Sequence, residues 1–571
     1  MKTEIVVAGM LVAGAIGLPG RASAEGTWTA LANTAPGGVK TMLLLSDGTV
    51  MAQKGGETGW YKLTPDGSGH YVNGTWTTLS SMNYSRLYYS SDVLRDGRVF
   101  VAGAEYGNGT TNAEIYNGSS WNVVPIPAGI IDENNSINPT YGNNTEGFID
   151  SGSVVLNNGK VLILPVGPAN YGETVTYDPV ANSWASAYLQ TGGNEDEACM
   201  VKLPDDSILV VDSGSTTSER YIPASNSWIN DATAPVALYD SYGTEQGPAF
   251  LLPNGKAFFI GSAPNTAIYT PSGNNNPGTW VAGPSLGSLG APDAPAAMMD
   301  NGKILCALSP TPYSSSNVFT TPSYFFEYDY TVGSVGAFTE IHAPGGGYSR
   351  NEVTYNDRML DLPDGTVLFT DGGNQLYVYQ PDGSPLASGQ PTIYGVSWNT
   401  DGSLHITGTL FNGISQGAAY GDDAQMDSNY PLVRFTDGSG NVYYGRTYNW
   451  SSTSVQTGGA VVTTECAVPA TVFDGPGTYS MQVVANGIAS NPVTFYGPVW
   501  VDFVNYNILF QFGSFIYPYP TLHQGVAAVA SGGTIAIDAG SQPSIGHESV
   551  PYTISTPMTI ISVYGPSTIG Q

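Results

Sequence analysis

The sequence predicts an all-β protein, and three observations carry that expectation. Gly and Pro supply 72 and 39 of the 571 residues, a composition that starves helices because both are poor helix formers. Charged residues make up only 11% of the chain, whereas 36 Tyr and 10 Trp provide rings to bury, so the chain has the means to fold rather than stay disordered. The third observation is a repeat. An apolar run, an Asx-Gly turn and a second apolar run recur as LLLSDGTVMAQ, DVLRDGRVFVAG, VVLNNGKVLILP, VKLPDDSILVVD (with Asp-Asp at its turn), FLLPNGKAFFIG, AMMDNGKILCAL and LDLPDGTVLFTD.

Counted at the second turn residue, the seven copies sit at Gly48, Gly97, Gly159, Asp206, Gly255, Gly302 and Gly365, spaced by 49, 62, 47, 49, 47 and 63 residues. Asx-Gly turns close tight hairpins because these residues accept positive φ cheaply. A Tyr-containing strand follows in most copies, and then a Trp strand carrying Trp76, Trp121, Trp184, Trp228 or Trp280. Four strands at a period near 50 predict a seven-bladed kelch-type β-propeller over residues 25–393. The last copy lacks its Trp strand, while GTWTAL at Gly26–Leu31 lacks a hairpin and matches GTWTTL at Gly74–Leu79. The early strand is therefore expected to complete the seventh blade and close the ring.

Before the ring, residues 1–24 run from Lys2 through the apolar Ile5–Leu18 to Ala22-Ser23-Ala24, the pattern of a secretory signal peptide. No later stretch approaches the roughly 20 apolar residues of a membrane span, so a secreted, extracellular protein without an integral membrane span is expected. After the ring, LHITGTLF, PLVRFTD, NVYYGRTYNW, AVVTTECAV and GTYSMQVVANG alternate with turns and predict an immunoglobulin-like β-sandwich over residues 394–497. Residues 498–571, with YPTLHQGVAAVASGGTIAIDAG, read as a short helix, a Gly-Gly turn and strands, similar to the entry of a right-handed parallel β-helix. Cys199, Cys306 and Cys466 allow at most one disulfide and are expected to be small buried residues. A formal charge of −29 repels a phosphate backbone, so nucleic acid is not an expected partner.

Two stretches narrow the reading. Arg86-Leu-Tyr-Tyr-Ser-Ser-Asp-Val-Leu-Arg-Asp-Gly-Arg-Val-Phe100 and Tyr355-Asn-Asp-Arg-Met-Leu-Asp-Leu-Pro-Asp-Gly365, on this domain order, resemble the galactose oxidase and glyoxal oxidase family of copper radical oxidases. The resemblance spans roughly residues 26–497. It implies copper held by two tyrosines and two histidines, with one tyrosine thioether-linked to a cysteine beneath a stacking aromatic residue. Tyr88 then falls at the cross-linked tyrosine, Tyr355 at the axial one and Tyr106 at the stacking ring. Asn356 stands at a histidine position, Gly38-Val39-Lys40 stands where the cysteine belongs, and the segment Arg446–Trp450 carries no imidazole. Copper(II) favours imidazole ligands, and the five histidines, His70, His342, His405, His523 and His547, show no ligand spacing. Copper is therefore not the expected cofactor.

A second constellation comes from the repeat itself. Nine residues before each reference turn position stand Val39, Tyr88, Asp150, Glu197, Gln246, Asp293 and Asn356, and Glu245 is adjacent. Equivalent positions gather around a propeller axis, so carboxylates are expected at the funnel mouth. They suit strand-start capping, general acid–base chemistry on a glycoside, or calcium at Asp150, Glu197 and Asp293. Tyr88, Tyr106 and Tyr355 would add ring faces beside them. The favoured expectation is a non-redox propeller whose mouth binds carbohydrate or another cell-surface polymer, with Tyr88, Tyr106, Asp150, Glu197, Glu245, Asp293, Tyr355 and Asn356 as its residues. The alternatives are a divergent carbohydrate or aldehyde oxidase, a carboxylate-based glycosidase, and a structural surface protein.

Overall fold

In a computed structural model the described residues are 25–127, 130, 148, 151–165, 173–188, 198–420, 428–540, 544–546 and 552–570; the expected leader lies outside them. Each hairpin turn is built by the residues that announced it. Gly48, Gly97, Gly159, Asp206, Gly255, Gly302 and Gly365 all have φ between 66° and 85°. In every copy the preceding Asx side chain accepts the backbone N–H two residues on, at 2.9–3.2 Å, from Asp47 to Thr49 through Asp364 to Thr366. The carboxylate or amide thus locks the turn that the positive φ permits.

These hairpins extend into seven four-stranded blades. Six run in chain order from inner to outer strand: Val39–Leu44 to Thr75–Leu79, Ser90–Val93 to Trp121–Val124, Gly152–Val155 to Ser183–Tyr188, Val201–Lys202 to Ser227–Asn230, Ala249–Leu251 to Thr279–Ala282 and Pro295–Met298 to Ala337–Ile341. The seventh blade contributes Arg358–Asp361, Val367–Thr370 and Tyr377–Gln380, and its outer strand is Thr27–Ala30, with Trp28 opposite Tyr379. The ring is closed by the strand the sequence assigned to it, which covers the outer edge of Tyr377–Gln380 and gives this blade the four strands of the others.

The tryptophans explain why neighbouring blades hold together. The Trp76, Trp121, Trp184, Trp280 and Trp28 indoles each donate to a backbone carbonyl just past the outer strand of the preceding blade: Asn33, Ser80, Pro125, Ala232 and His342, at 2.8–3.1 Å. Trp228 reaches back to Thr174 Oγ1 at 2.8 Å. Each ring also lies against the Tyr of its own third strand, as in Tyr177–Trp184 at 4.7 Å and Tyr269–Trp280 at 5.0 Å. One residue type therefore supplies apolar area, an aromatic pair and a satisfied donor at each joint. The sixth blade lacks this Trp and instead stacks Tyr328 on Phe258 of the fifth, 4.0 Å apart.

Residues beyond the ring form an eight-stranded antiparallel sheet that curls over its own core of Leu404, Ile406, Val433, Phe435, Cys466, Met481 and Val483. The curl pivots on Val442–Tyr448. Its first half pairs with Leu432–Asp437 and its second with Val462–Ala467, and the change of partner falls at Gly445 and Arg446. A Cβ at Gly445 would collide with Cys466 Sγ, so the strand can cross there only as glycine.

The curled sheet covers the turn face of the ring. Tyr444 lies against Gly48, Thr447 N–H donates to Ser46 O at 3.1 Å, Arg95 Nε donates to Trp450 O at 2.6 Å and Gln456 donates to Leu252 O at 2.7 Å. Ala418–Tyr420 pairs with the inner strand Pro295–Met298, carrying part of this sheet's connections into the ring. Asp300 and Asp361 crowd this face, with Asp364 beside Asp300. Burial pushes the Asp300 carboxyl up to about 6, and burial together with Asp300 pushes Asp361 well above the usual range. Cys199, Cys306 and Cys466 are free and buried, and burial raises the thiol pKa of the latter two.

The tail is built differently. Val499–Val501, Thr534–Asp538 and Thr559–Val563 pair in parallel, as do Ser544–Gly546 and Ser567–Ile569. Two successive turns of chain thus each give one strand to each of two small parallel sheets. The helix Leu522–Ala528 caps the stack, with Thr521 as its N-cap accepting from Gln524 N–H, and packs Leu522 and Val526 on Val501 and Ile535.

Candidate functional site

With the turn face covered, the inner-strand starts form the opposite mouth, and hydrogen bonds there tie equivalent positions of adjacent blades together. Ser90 Oγ donates to Ser151 O at 2.8 Å, Asp293 N–H to Gln246 O at 3.0 Å and Thr354 Oγ1 to Pro292 O at 2.8 Å. Gln246 and Asp293, aligned by their common distance to the turn, are thus neighbours around the axis.

Between blades seven, one and two the mouth is aromatic and cationic. Tyr88 has φ 54°, a region few residues with a Cβ occupy and one associated with strain held for function. Its ring meets that of Tyr106 edge-on, centroids 6.1 Å apart and planes at 68°, so Tyr106 stands beside Tyr88 and does not stack on it. Tyr106 is 57% exposed. It is carried by a projecting ladder in which Tyr106–Gly107 pairs with Arg86–Leu87.

That ladder is held from below by Arg86, which is fully buried. Its Nη1 donates to the carbonyls of Gly103, Gly109 and Asn112 at 2.6–2.9 Å, and Nη2 meets Glu114 Oε2 at 3.0 Å. Glu114 Oε1 in turn accepts from the backbone and side chain of Asn83. A planar guanidinium offers several donors in fixed directions, so one residue fixes both ends of the loop bearing Tyr106.

Arg358 joins Tyr88 to Tyr355. Its guanidinium lies 5.8 Å from the centre of the Tyr88 ring, and its Nη1 donates to Tyr355 O at 2.6 Å. The Tyr355 ring packs edge-on against Phe319 at 4.8 Å. Lys40 Nζ donates to Asn356 Oδ1 at 2.7 Å. The two segments from which the resemblance would draw a cysteine and a histidine are thus joined by an ammonium–amide hydrogen bond. A fixed positive charge repels a metal ion, and neither group supplies the sulfur or imidazole of that cofactor. The residues present do not fit the copper radical site, and no step is derived through it.

The acidic side of the mouth is only partly within the described residues. Asp150 and Glu197 lie outside them. Glu245 and Asp293 are both 8% exposed. The Glu245 backbone N–H donates to Asp240 Oδ2 at 3.0 Å, in a loop wound around Asp240, and Asp293 holds φ at 43°. Among the described residues no three His, Cys, Asp or Glu side chains gather into a metal-holding group. Asp357 is buried beside Arg358, and burial with Asp371 nearby pushes its carboxyl well above the usual range. Lys40, Arg358 and Phe319 were not expected among the site residues; the available signal was a Lys and an Arg within the largely buried inner strands Val39–Leu44 and Arg358–Asp361.

No protein-family model matches the chain, and no curated protein matches it in sequence. Solved structures are similar in fold. A fungal alcohol oxidase of the AA5 family, in complex with copper, aligns over 83% of this chain and 99% of its own at 15% identity and a TM-score of 0.44. A streptogramin B lyase aligns over 64% and 100% at 12% identity and a TM-score of 0.40. A catalytically inactive virginiamycin B lyase from Staphylococcus aureus, with quinupristin, aligns over 62% and 99% at 11% identity and a TM-score of 0.40. These are likenesses of architecture, and propellers host unrelated chemistries.

Proposed function

We propose that the protein is a secreted binding propeller that takes a carbohydrate or another hydroxyl-rich cell-surface polymer at its mouth, without redox chemistry. The observation that carries this reading is the Lys40–Asn356 hydrogen bond, which fills with a cation and an amide the place where the copper radical cofactor would need sulfur and imidazole. What surrounds it suits a sugar. Tyr106 offers an exposed ring for CH faces, while the half-buried Asn356 amide and Lys40 ammonium provide directional partners for hydroxyls. Calcium at Asp150, Glu197 and Asp293 stays an auxiliary proposal of the same reading.

The test is binding of purified protein to an array of cell-surface glycans, followed by calorimetry on the best ligand. Tyr106→Ala is expected to weaken binding at least tenfold with an unchanged unfolding curve. Steady peroxide release from galactose or glyoxal after copper loading, abolished by Tyr88→Phe, would overturn the proposal in favour of a divergent oxidase.

A further inference from the structure

The tail carries a surface that the mouth does not explain. Between Asp502 and Thr521 the chain leaves the first parallel strand, projects and returns. Its base is tied by Asp502 N–H to Tyr519 O at 2.9 Å, Tyr519 N–H to Trp500 O at 3.0 Å and Phe515 N–H to Asp474 O at 2.6 Å. The projecting part exposes large apolar side chains in series: Ile508 and Leu509 at 83%, Ile516 at 65%, Val504 at 62%, Phe512 at 60% and Phe510 at 48%. Water-exposed apolar residues concentrated this way mark an interaction surface.

We propose that residues 503–517 form a hydrophobic finger that inserts into the surface of a lipid bilayer without electrostatic help. Three features select lipid. First, no Asp, Glu, Lys or Arg occurs from Phe503 to Thr521, and no Lys or Arg occurs anywhere in residues 498–571; the segment carries no charge to strand in hydrocarbon and none to attract an anionic headgroup. Second, four of the finger's backbone donors are satisfied within it, which lowers the cost of an apolar medium. Asn507 Oδ1 accepts from Leu509 and Phe510 N–H at 2.8 and 3.1 Å, and Tyr517 O accepts from Phe512 and Gly513 N–H at 3.0 Å. Third, Tyr506 and Tyr517 are partly exposed below the tip, and the Tyr517 ring buttresses Phe510 and Phe512 at 5.8 and 5.9 Å. Amphipathic rings at the neck match the headgroup level. An exposed, uncharged apolar tip suits a fluid apolar phase, whereas a second copy would bring another chain of formal charge −29 toward the first.

Flotation of the full chain with phosphatidylcholine vesicles tests this, at physiological and at high salt. The protein is expected to float with the vesicles, independently of salt, and less well when a third of the lipid is phosphatidylserine. Leu509→Asp combined with Ile508→Asp is expected to reduce flotation at least tenfold. Because both side chains point into water, the unfolding curve should not move, and Leu509→Met, which keeps the apolar tip, should float like the parent. Failure to float with phosphatidylcholine overturns the proposal, as does flotation indifferent to the double substitution. A concentration-dependent dimer in the absence of lipid, abolished by the same double substitution, would assign the finger to self-association and overturn it equally.

Discussion

The two faces of the ring obey different rules. On the turn face the same hydrogen bond is made seven times, Asx to the N–H two residues on, and the curled sheet lies over the result. Among the described residues the mouth differs from blade to blade: Tyr88 at positive φ, Lys40 bonded to Asn356, Arg358 between two tyrosines, Gln246 beside Asp293. Repetition carries the architecture, and departure from repetition carries the chemistry. Substitutions should accordingly separate into those that move stability and those that move binding.

The largest effect is expected where the repeat closes on itself. Deleting residues 25–31 removes Thr27–Ala30 from blade seven and uncovers Tyr379, Phe369 and Phe325, against which Trp28 packs at 4.8–5.7 Å. Loss of a large aromatic contact alone costs about 3–5 kcal/mol, so the deletion should lower the unfolding midpoint sharply or prevent folding. An unchanged midpoint would show that the ring does not depend on this strand.

Next comes Arg86, which belongs to the mouth yet is fully buried. Arg86→Met leaves the Glu114 charge uncompensated in the interior and removes a donor from three carbonyls, at a cost of about 3–5 kcal/mol. Denaturant unfolding checks this. A loss confined to glycan binding, with stability unmoved, would place Arg86 with the ligand groups instead.

The turn face predicts a pH dependence of definite sign. Asp300 is raised to about 6, so the folded protein holds a proton that the unfolded chain has released. Stability is then greatest below the unfolded value, near 4, and falls as pH rises through about 6. Asp361, raised well above its usual range, extends the same trend upward. Asp300→Asn should raise stability by on the order of 2 kcal/mol at pH 7 and change little at pH 4, read from midpoints at both. Equal effects at the two pH values would mean the carboxyl is ionised throughout.

The smallest effect on stability should come from Tyr106→Ala, within about 0.5 kcal/mol as for other exposed positions, although the same change is expected to weaken glycan binding most. Calorimetry alongside thermal unfolding reads both. A stability loss as large as that of Arg86→Met would mean the ladder depends on the ring it displays.

This division also sets what could be read from sequence. The turns were legible because each is answered by six others, so that Asp206 could be recognised as a turn residue despite not being glycine, and the Trp strands and the closing strand were legible because Trp28 and the tryptophans of five blades answer one another. The tail's parallel pairing was legible from one short helix and one Gly-Gly turn. The curl of the second sheet was expected as a sandwich; Gly445 within NVYYGRTYNW signals that a backbone passes close, but not that one strand serves both halves. At the mouth, Tyr88, Tyr106, Tyr355 and Asn356 were singled out by resemblance and spacing, whereas their joining through Arg358 and Lys40 depends on side-chain direction across three blades. No local pattern encodes that.

The closing strand has a consequence in time. Thr27 pairs with Gln380, so the first strand of the ring to be synthesised waits for nearly the last. At roughly 5–20 residues per second, the ribosome takes on the order of 20 to 70 seconds to supply that partner. Until its end Trp28 lacks the Tyr379 ring it packs against, and blade seven cannot be complete. The ring is therefore a clasp that fastens only near the end of its own synthesis, and any factor that shields hydrophobic chain has its longest task at residues 26–31.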